Sequence, residues 1–201
     1  MKIIVIGATG TIGKAVVQAL SPRHQIVPVA RSSGEHRADI TSNESLQTLF
    51  KQVAPFDAVV IAAGEGRFKP LEELSDEDFQ FCLSNKLMGQ VNAVRIAMGL
   101  INDGGSITLT SGVLAGEPTP GSAAISMVGA ALEGFARAAA LEAPRGIRVN
   151  IVSPPWVSET LAAMGMDPSG GMPAAEVAGA YVASVEGVET GSVLDARVFT
   201  F

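Results

Sequence analysis

Residues 2–13 read Lys2-Ile3-Ile4-Val5-Ile6-Gly7-Ala8-Thr9-Gly10-Thr11-Ile12-Gly13, and their reading decides the fold. The β-branched apolar run at 3–6 has strand character. Lys14-Ala15-Val16-Val17-Gln18-Ala19-Leu20 follows with helical character. A strand, a glycine turn and a helix start form a phosphate cradle. Glycines let the backbone turn tightly and approach a pyrophosphate without a Cβ clash, and the free N–H groups at the helix start face the anion. Three glycines two residues apart are weak evidence alone; the flanking strand and helix carry the inference. The competing reading is a glycine-rich turn with no ligand.

Outward from this stretch, 201 residues suit one α/β domain. Hydrophobic residues are 47% and charged residues 17%, so a sizeable core is available. The mean hydropathy is +0.33, raised partly by Ala and Gly. No apolar run is expected to reach the roughly 18–20 residues of a membrane span; the most apolar stretch, 123–141, is interrupted by Glu133 and Arg137. The chain starts directly on a strand, which argues against a signal peptide. Cys82 is the only cysteine, so no internal disulfide forms, and a cytoplasmic setting is expected. A net charge of −6 argues against a nucleic-acid surface.

Along the chain, strands are expected at 25–30, 57–62, 106–110, 147–152 and 190–195 with the tail. Helices are expected at 44–53 (Ser42 or Asn43 as N-cap), from Ser75 through Asn85 toward Leu100, and at 122–142 and 174–185. Residues 34–38 read as a short loop, and 157–173, with Gly, Pro and Met, as a mobile loop. Strands alternating with helices predict an α/β protein: a Rossmann-type doubly wound parallel sheet in a single three-layer α/β/α domain. Ligands of such sheets sit beyond the carboxyl ends of the strands. The residues to read for function are therefore 7–13, Arg31 and Ser32, Ala62, Ala63 and Gly64, Thr110, Ser111 and Gly112, and 153–156. After the second strand an acid would bind ribose hydroxyls, whereas an arginine accommodates a 2′-phosphate. Arg31 and Ser32 stand there without an acid, which predicts NADP(H).

These residues resemble the short-chain dehydrogenase/reductase family over almost the full length. Gly7, Thr9, Gly10, Thr11, Ile12 and Gly13 match its cofactor loop. Asp39 and Ile40 resemble its adenine-contacting pair, and Ala62, Ala63 and Gly64 lie where the family has NNAG. Pro154, Trp156 and Val157 resemble the PGxV segment beside the nicotinamide, with Pro155 for the glycine; Thr160 is a shifted match to the threonine that contacts the carboxamide. The resemblance assigns catalytic roles to Ser111, at the end of its strand, and to Asn85, in the long helix. One departure stands out. The family's general acid is the Tyr of a YxxxK motif, and those positions fall on Ile125 and Gly129. The only tyrosine is Tyr181, read as a packing residue, and no lysine follows Lys86.

Carbonyl reduction needs a proton as well as a hydride, and loss of general acid catalysis typically costs about 10²–10⁴ in rate. Two readings follow. One is an NADP(H)-dependent oxidoreductase acting on a small carbonyl or activated substrate with an atypical site. The other is a catalytically inactive NADP(H)-binding sensor or partner subunit. A nucleoside or flavin binder using the same crevice is a third. No metal site is expected, because His24 and His36 lack ligand spacing with Cys82. Met164, Met166 and Met172 offer either an apolar lid or plain loop packing. The resemblance further implies a homodimer or homotetramer through the helices near 76–100 and 122–142.

Overall fold

A computed structural model describes residues 1–199; Thr200 and Phe201, the end of the tail grouped with the last strand above, lie outside the described residues. Seven strands run in the order β1 (Lys2–Ile6), β2 (Gln25–Ala30), β3 (His36–Arg37), β4 (Ala58–Ile61), β5 (Ser106–Thr110), β6 (Arg148–Ser153) and β7 (Val193–Asp195). They form one sheet, ordered β3-β2-β1-β4-β5-β6-β7, with every pairing parallel. The register sets Ile4 between Val27 and Val59, so β1 is buried on both faces. This is why its sequence is a continuous apolar run.

Alternate residues of β1 feed two cores. Ile4 and Ile6 pack with Leu46, Phe50, Val94, Leu132 and Ala136, beneath α2 (Asn43–Val53), α4 (Met88–Ala97) and α5 (Ala123–Glu142). Ile3 and Val5 pack with Val16, Leu20, Ala178, Tyr181 and Val185, beneath α1 (Thr11–Leu20) and α7 (Ala174–Glu186). Each fully buried Val, Leu or Ile side chain contributes roughly 1.5–3 kcal/mol. The strand order reverses direction between β1 and β4, and a crevice opens there beyond the strand ends.

The local signals explain the element starts. Ser42 caps α2, its hydroxyl accepting from Ser45 N–H. Ser75 and Asp78 form a reciprocal capping box at α3 (Asp76–Cys82). Four expectations need correction. The loop at 34–38 contains the short edge strand β3, paired through Val29 and Ala30. The long helix is not uniform: α3 passes into a π turn, Leu83–Leu87, before α4 begins. Residues 157–173 hold α6 (Ser158–Ala163) and a 3₁₀ turn at Pro168–Gly170, and Val157 bridges to Met172 at their base. The fourth concerns α5, whose 20 residues are long and apolar enough to span a membrane. One face of α5 is packed inside the protein through Ala124, Val128, Leu132 and Ala136, and Glu133 pairs with Arg137 at 3.6 Å across its middle.

Candidate functional site

The glycine turn is held against the sheet by its own backbone. Gly7 and Ala8 N–H groups donate to Val29 O at 2.9 and 3.0 Å, and Gly10 N–H donates to Gly7 O. Gly7 has φ +88°, and a Cβ there would sit 2.4 Å from Ala62 O. At Gly13 a Cβ would meet Gly7 O at 2.0 Å. Both positions therefore exclude any side chain. The first helical bond of α1 runs from Lys14 N–H to Gly10 O. The amides of Thr11, Ile12 and Gly13 thus point out of the helix end with no backbone acceptor among the described residues.

Two adjoining hollows lie over the strand ends. The first, of about 300 Å³, is lined by Gly7, Thr9, Gly10, Arg31, Asp39, Ile40 and Asn85, among others. Asp39 Oδ1 accepts from Thr41 N–H and Oγ1–H at 2.9 and 2.8 Å. These bonds hold its carboxyl below the usual range, with a smaller contribution from the Arg31 guanidinium 4.0 Å away. Arg31 is largely exposed and makes no closer ion pair among the described residues. Ser32 is exposed and does not line this hollow.

The second hollow, of about 270 Å³, is lined by Ile12, Lys86, Ser111, Leu114, Ile125, Pro154, Trp156, Val157 and Thr160 with several neighbours. Ala62, Ala63 and Gly64 wall both hollows. The two are thus one cleft crossing from β1 to β6 at the switch point. Phe68 meets Trp156 edge-on at 5.5 Å, so an aromatic pair ties the loop after β4 to the loop after β6.

Ser111 is buried, and its Oγ donates to Glu133 Oε1 at 3.1 Å. Ile125 lines the hollow and packs against Gly66. A Cβ at Gly129, the position the resemblance aligns with the family's lysine, would lie 3.2 Å from Ala115 Cβ, a tight approach to the 3₁₀ turn Val113–Ala115. Tyr181 is fully buried; its hydroxyl meets Thr110 Oγ1 at 2.8 Å, and Thr110 Oγ1 in turn donates to Ile61 O. Burial pushes its phenol well above the usual range, so it is a packed hydrogen-bonding residue.

Asn85 does not reach Ser111's side of the cleft. Its Oδ1 accepts from Glu65 N–H at 2.7 Å, and the residue lines the first hollow. Lys86, its neighbour, lines the second. Gln90, on α4, is fully buried and clamps the backbone of Thr110: Nε2 donates to its carbonyl and Oε1 accepts from its amide, both at 2.8 Å. Gln90, Glu133, Phe68 and Lys86 were not singled out for the site from the sequence. For Lys86 a signal existed: it lies four residues after Cys82 and four before Gln90, on a helix side that all three share and that is buried. Met164 and Met166 are about half exposed and line neither hollow, while Met172 packs on the α7 side of the core. No group of metal-ligating side chains is found among the described residues.

Residues 7–189 match the family model described as enoyl-(acyl carrier protein) reductase. The crystal structure of the protein lin1944 from Listeria innocua superposes with a TM-score of 0.92 at 40% identity, covering 97% of this chain and 98% of that one. A small-chain dehydrogenase in complex with NADPH superposes with a TM-score of 0.85 at 25% identity, covering 97% and 95%. The 3-oxoacyl-[acyl-carrier-protein] reductase of Mus musculus is 29% identical over 174 residues, 76% of this chain and 74% of that protein. The hydroxynaphthalene reductase arp2 of Aspergillus fumigatus is 33% identical over 141 residues, 68% of this chain, and the match spans only about half (52%) of the fungal protein. A family match over nearly the whole sequence, a parallel sheet of the expected order and a glycine cradle at its switch point make this chain a member of the short-chain dehydrogenase/reductase family of oxidoreductases, which bind nicotinamide cofactors.

Proposed function

We propose that the chain binds NADP(H) along the cleft and reduces a small carbonyl or otherwise activated compound, with a site that dispenses with the Tyr-Lys pair. One observation carries the reading: Ala62, Ala63 and Gly64 wall both hollows. A dinucleotide seated on the amides of Thr11, Ile12 and Gly13 then has its adenosine end beside Arg31, Asp39 and Ile40. Its other end lies beside Ser111, Pro154, Trp156 and Val157. The residues fit such a ligand, since Gly7 and Gly13 let the turn pack tightly on the sheet and leave the amides of Thr11, Ile12 and Gly13 without a backbone acceptor for a pyrophosphate to meet. When bound, the cofactor supplies hydride.

The chain's own contribution is steric and electrostatic. Arg31 offers charge-assisted hydrogen bonds to a 2′-phosphate. Asp39, spent on Thr41, is turned from ribose recognition. Ile125, Leu114, Val157 and Trp156 keep the reacting end dry. The NADPH-bound neighbour supports the choice of phosphate-bearing cofactor. The same reading includes a homodimer or homotetramer through the helices near 76–100 and 122–142 and a cytoplasmic setting that keeps Cys82 reduced.

Titration with NADPH and NADH, read through fluorescence of the single tryptophan, tests the proposal. NADPH is expected to bind at least tenfold more tightly, and equal affinity overturns the role given to Arg31. A carbonyl-library screen with NADPH tests turnover. The alternative, an inactive NADP(H) sensor or partner subunit, has one observation in its favour: Ala115 crowds Gly129, where the resemblance would place the family's lysine. Binding of NADPH with no turnover on any carbonyl selects it.

A further inference from the structure

Lys86 is 7% exposed and forms no hydrogen bond or ion pair among the described residues, yet it lines the second hollow. Among the described residues no carboxylate lines that hollow, and Lys86 is its only ionisable side chain. A buried, unpartnered ammonium is costly, and such groups persist where a ligand completes them. The fold also takes trouble to place it. Lys86 sits on the π turn Leu83–Leu87, inside a helix otherwise α, and such turns gather at functional sites. Gly64 leaves room for it, since a Cβ there would lie 3.0 Å from Lys86 Cα.

We propose that Lys86 is the substrate-binding cation of this site: its Nζ holds the substrate's oxygen, beside Ser111, and gives that oxygen its proton. The inference rests on the reductase reading above. In the reduction the carbonyl carbon accepts hydride from a dihydronicotinamide and the C=O π pair moves to oxygen. An Nζ–H bond breaks as the O–H bond forms, and the neutral amine regains a proton from water. Burial pushes the Lys86 ammonium down to about 8, with the Cys82 thiol opposing slightly. That places it near the operating pH, where a proton donor works best. The titratable and charged groups around it are engaged elsewhere or exposed. Cys82 Sγ accepts from Arg67 N–H, Glu65 is exposed, Glu133 binds Ser111 Oγ and Arg137, and the Arg67 guanidinium lies over Phe81 at 3.7 Å.

The test uses benzoate, a non-reducible oxyanion on an apolar ring, titrated into the full chain saturated with NADP⁺ and followed by Trp156 fluorescence. Wild type is expected to bind it, and Lys86→Met to weaken binding at least tenfold. Wild-type affinity is expected to fall about tenfold per pH unit above pH 8, as the ammonium is lost. Lys86→Arg is expected to bind benzoate and to keep that affinity to higher pH, which a merely structural lysine would not bring about. Thermal melts of both variants establish that they are folded. Benzoate binding that ignores Lys86→Met, or no benzoate binding by an NADP⁺-loaded wild type, overturns the assignment of Lys86. Failure of the wild type to bind NADP⁺ or NADPH at all defeats the cofactor reading on which it rests.

Discussion

At the β1–β2 end the cleft is shaped by the turn at residues 7–13, where Gly7 and Gly13 let backbone pack directly on backbone, beside Arg31, Asp39 and Ile40. At the β5–β6 end it is mostly side chain: Ser111 tethered to Glu133, Ile125 and Leu114, the Trp156–Phe68 pair, and one buried lysine. Gly7 and Gly13 tolerate no substitution, because a Cβ at either would strike backbone, at 2.4 and 2.0 Å. A wall of side chains can exchange its chemistry while its outline survives. On the proposed reading the family's acid pair is exchanged at that end, while the cradle for the cofactor is kept.

Four changes break or sharpen this contrast. Gly13→Val drives a side chain into Gly7 O and is expected to abolish NADPH binding and lower the melting temperature, both followed by fluorescence; retained binding refutes backbone-on-backbone packing as a requirement of the cradle. Gln90→Ala strips two buried hydrogen bonds from the Thr110 backbone. At about 1–3 kcal/mol for a buried group left unpaired, it is expected to cost several kcal/mol in a denaturant titration. Arg31→Ala is expected to weaken NADPH about tenfold, a loss of about 1.4 kcal/mol, and NADH less than threefold. Equal weakening of both makes Arg31 structural. Lys86→Met is expected to raise the melting temperature at pH 7, at about 2–4 °C per kcal/mol for a domain of this size.

The sign of the Lys86 effect follows from linkage. The folded-state pKa of about 8 lies below the ordinary 10.5, so between these values the unfolded chain binds more protons. The lysine's penalty is full below pH 8 and fades as pH rises toward 10.5. The advantage of Lys86→Met is therefore expected to shrink across that window, and a pH-independent difference would remove the buried charge from the explanation.

The contrast also marks what could be read from the chain. The glycine cradle is legible because backbone geometry demands one residue type at fixed spacing. The serine caps of α2 and α3 and the apolar run of β1 are legible for the same local reason. The strand His36–Arg37 is not, since two polar residues on an exposed edge carry no periodicity. Helix α6 is hidden by Gly, Pro and Met around a short Ser158–Ala163 core. The β5–β6 half of the cleft is the least legible part. The sequence places Ile125 and Gly129 where the resemblance expects Tyr and Lys, but does not reveal that Ala115 crowds Gly129 from another segment. Nor does it reveal that Asn85 and Lys86 serve different halves of the cleft.

That last division has a cause in the length of one helical turn. An α-helix turns every 3.6 residues, whereas the π turn Leu83–Leu87 takes in an extra one. The segment 76–97 is thus two helices out of phase, joined without a break. Before the turn, Cys82 packs with Ala124 and Val128; after it, Ala93, Val94 and Ala97 pack on the sheet. Each half meets its neighbour without dictating the other's rotation. Deleting one residue of this turn would leave the composition nearly intact and swing Asn85 and Lys86 off their targets together. In this helix Lys86 is placed in the cleft by a count of residues, a kind of information that no single side chain carries.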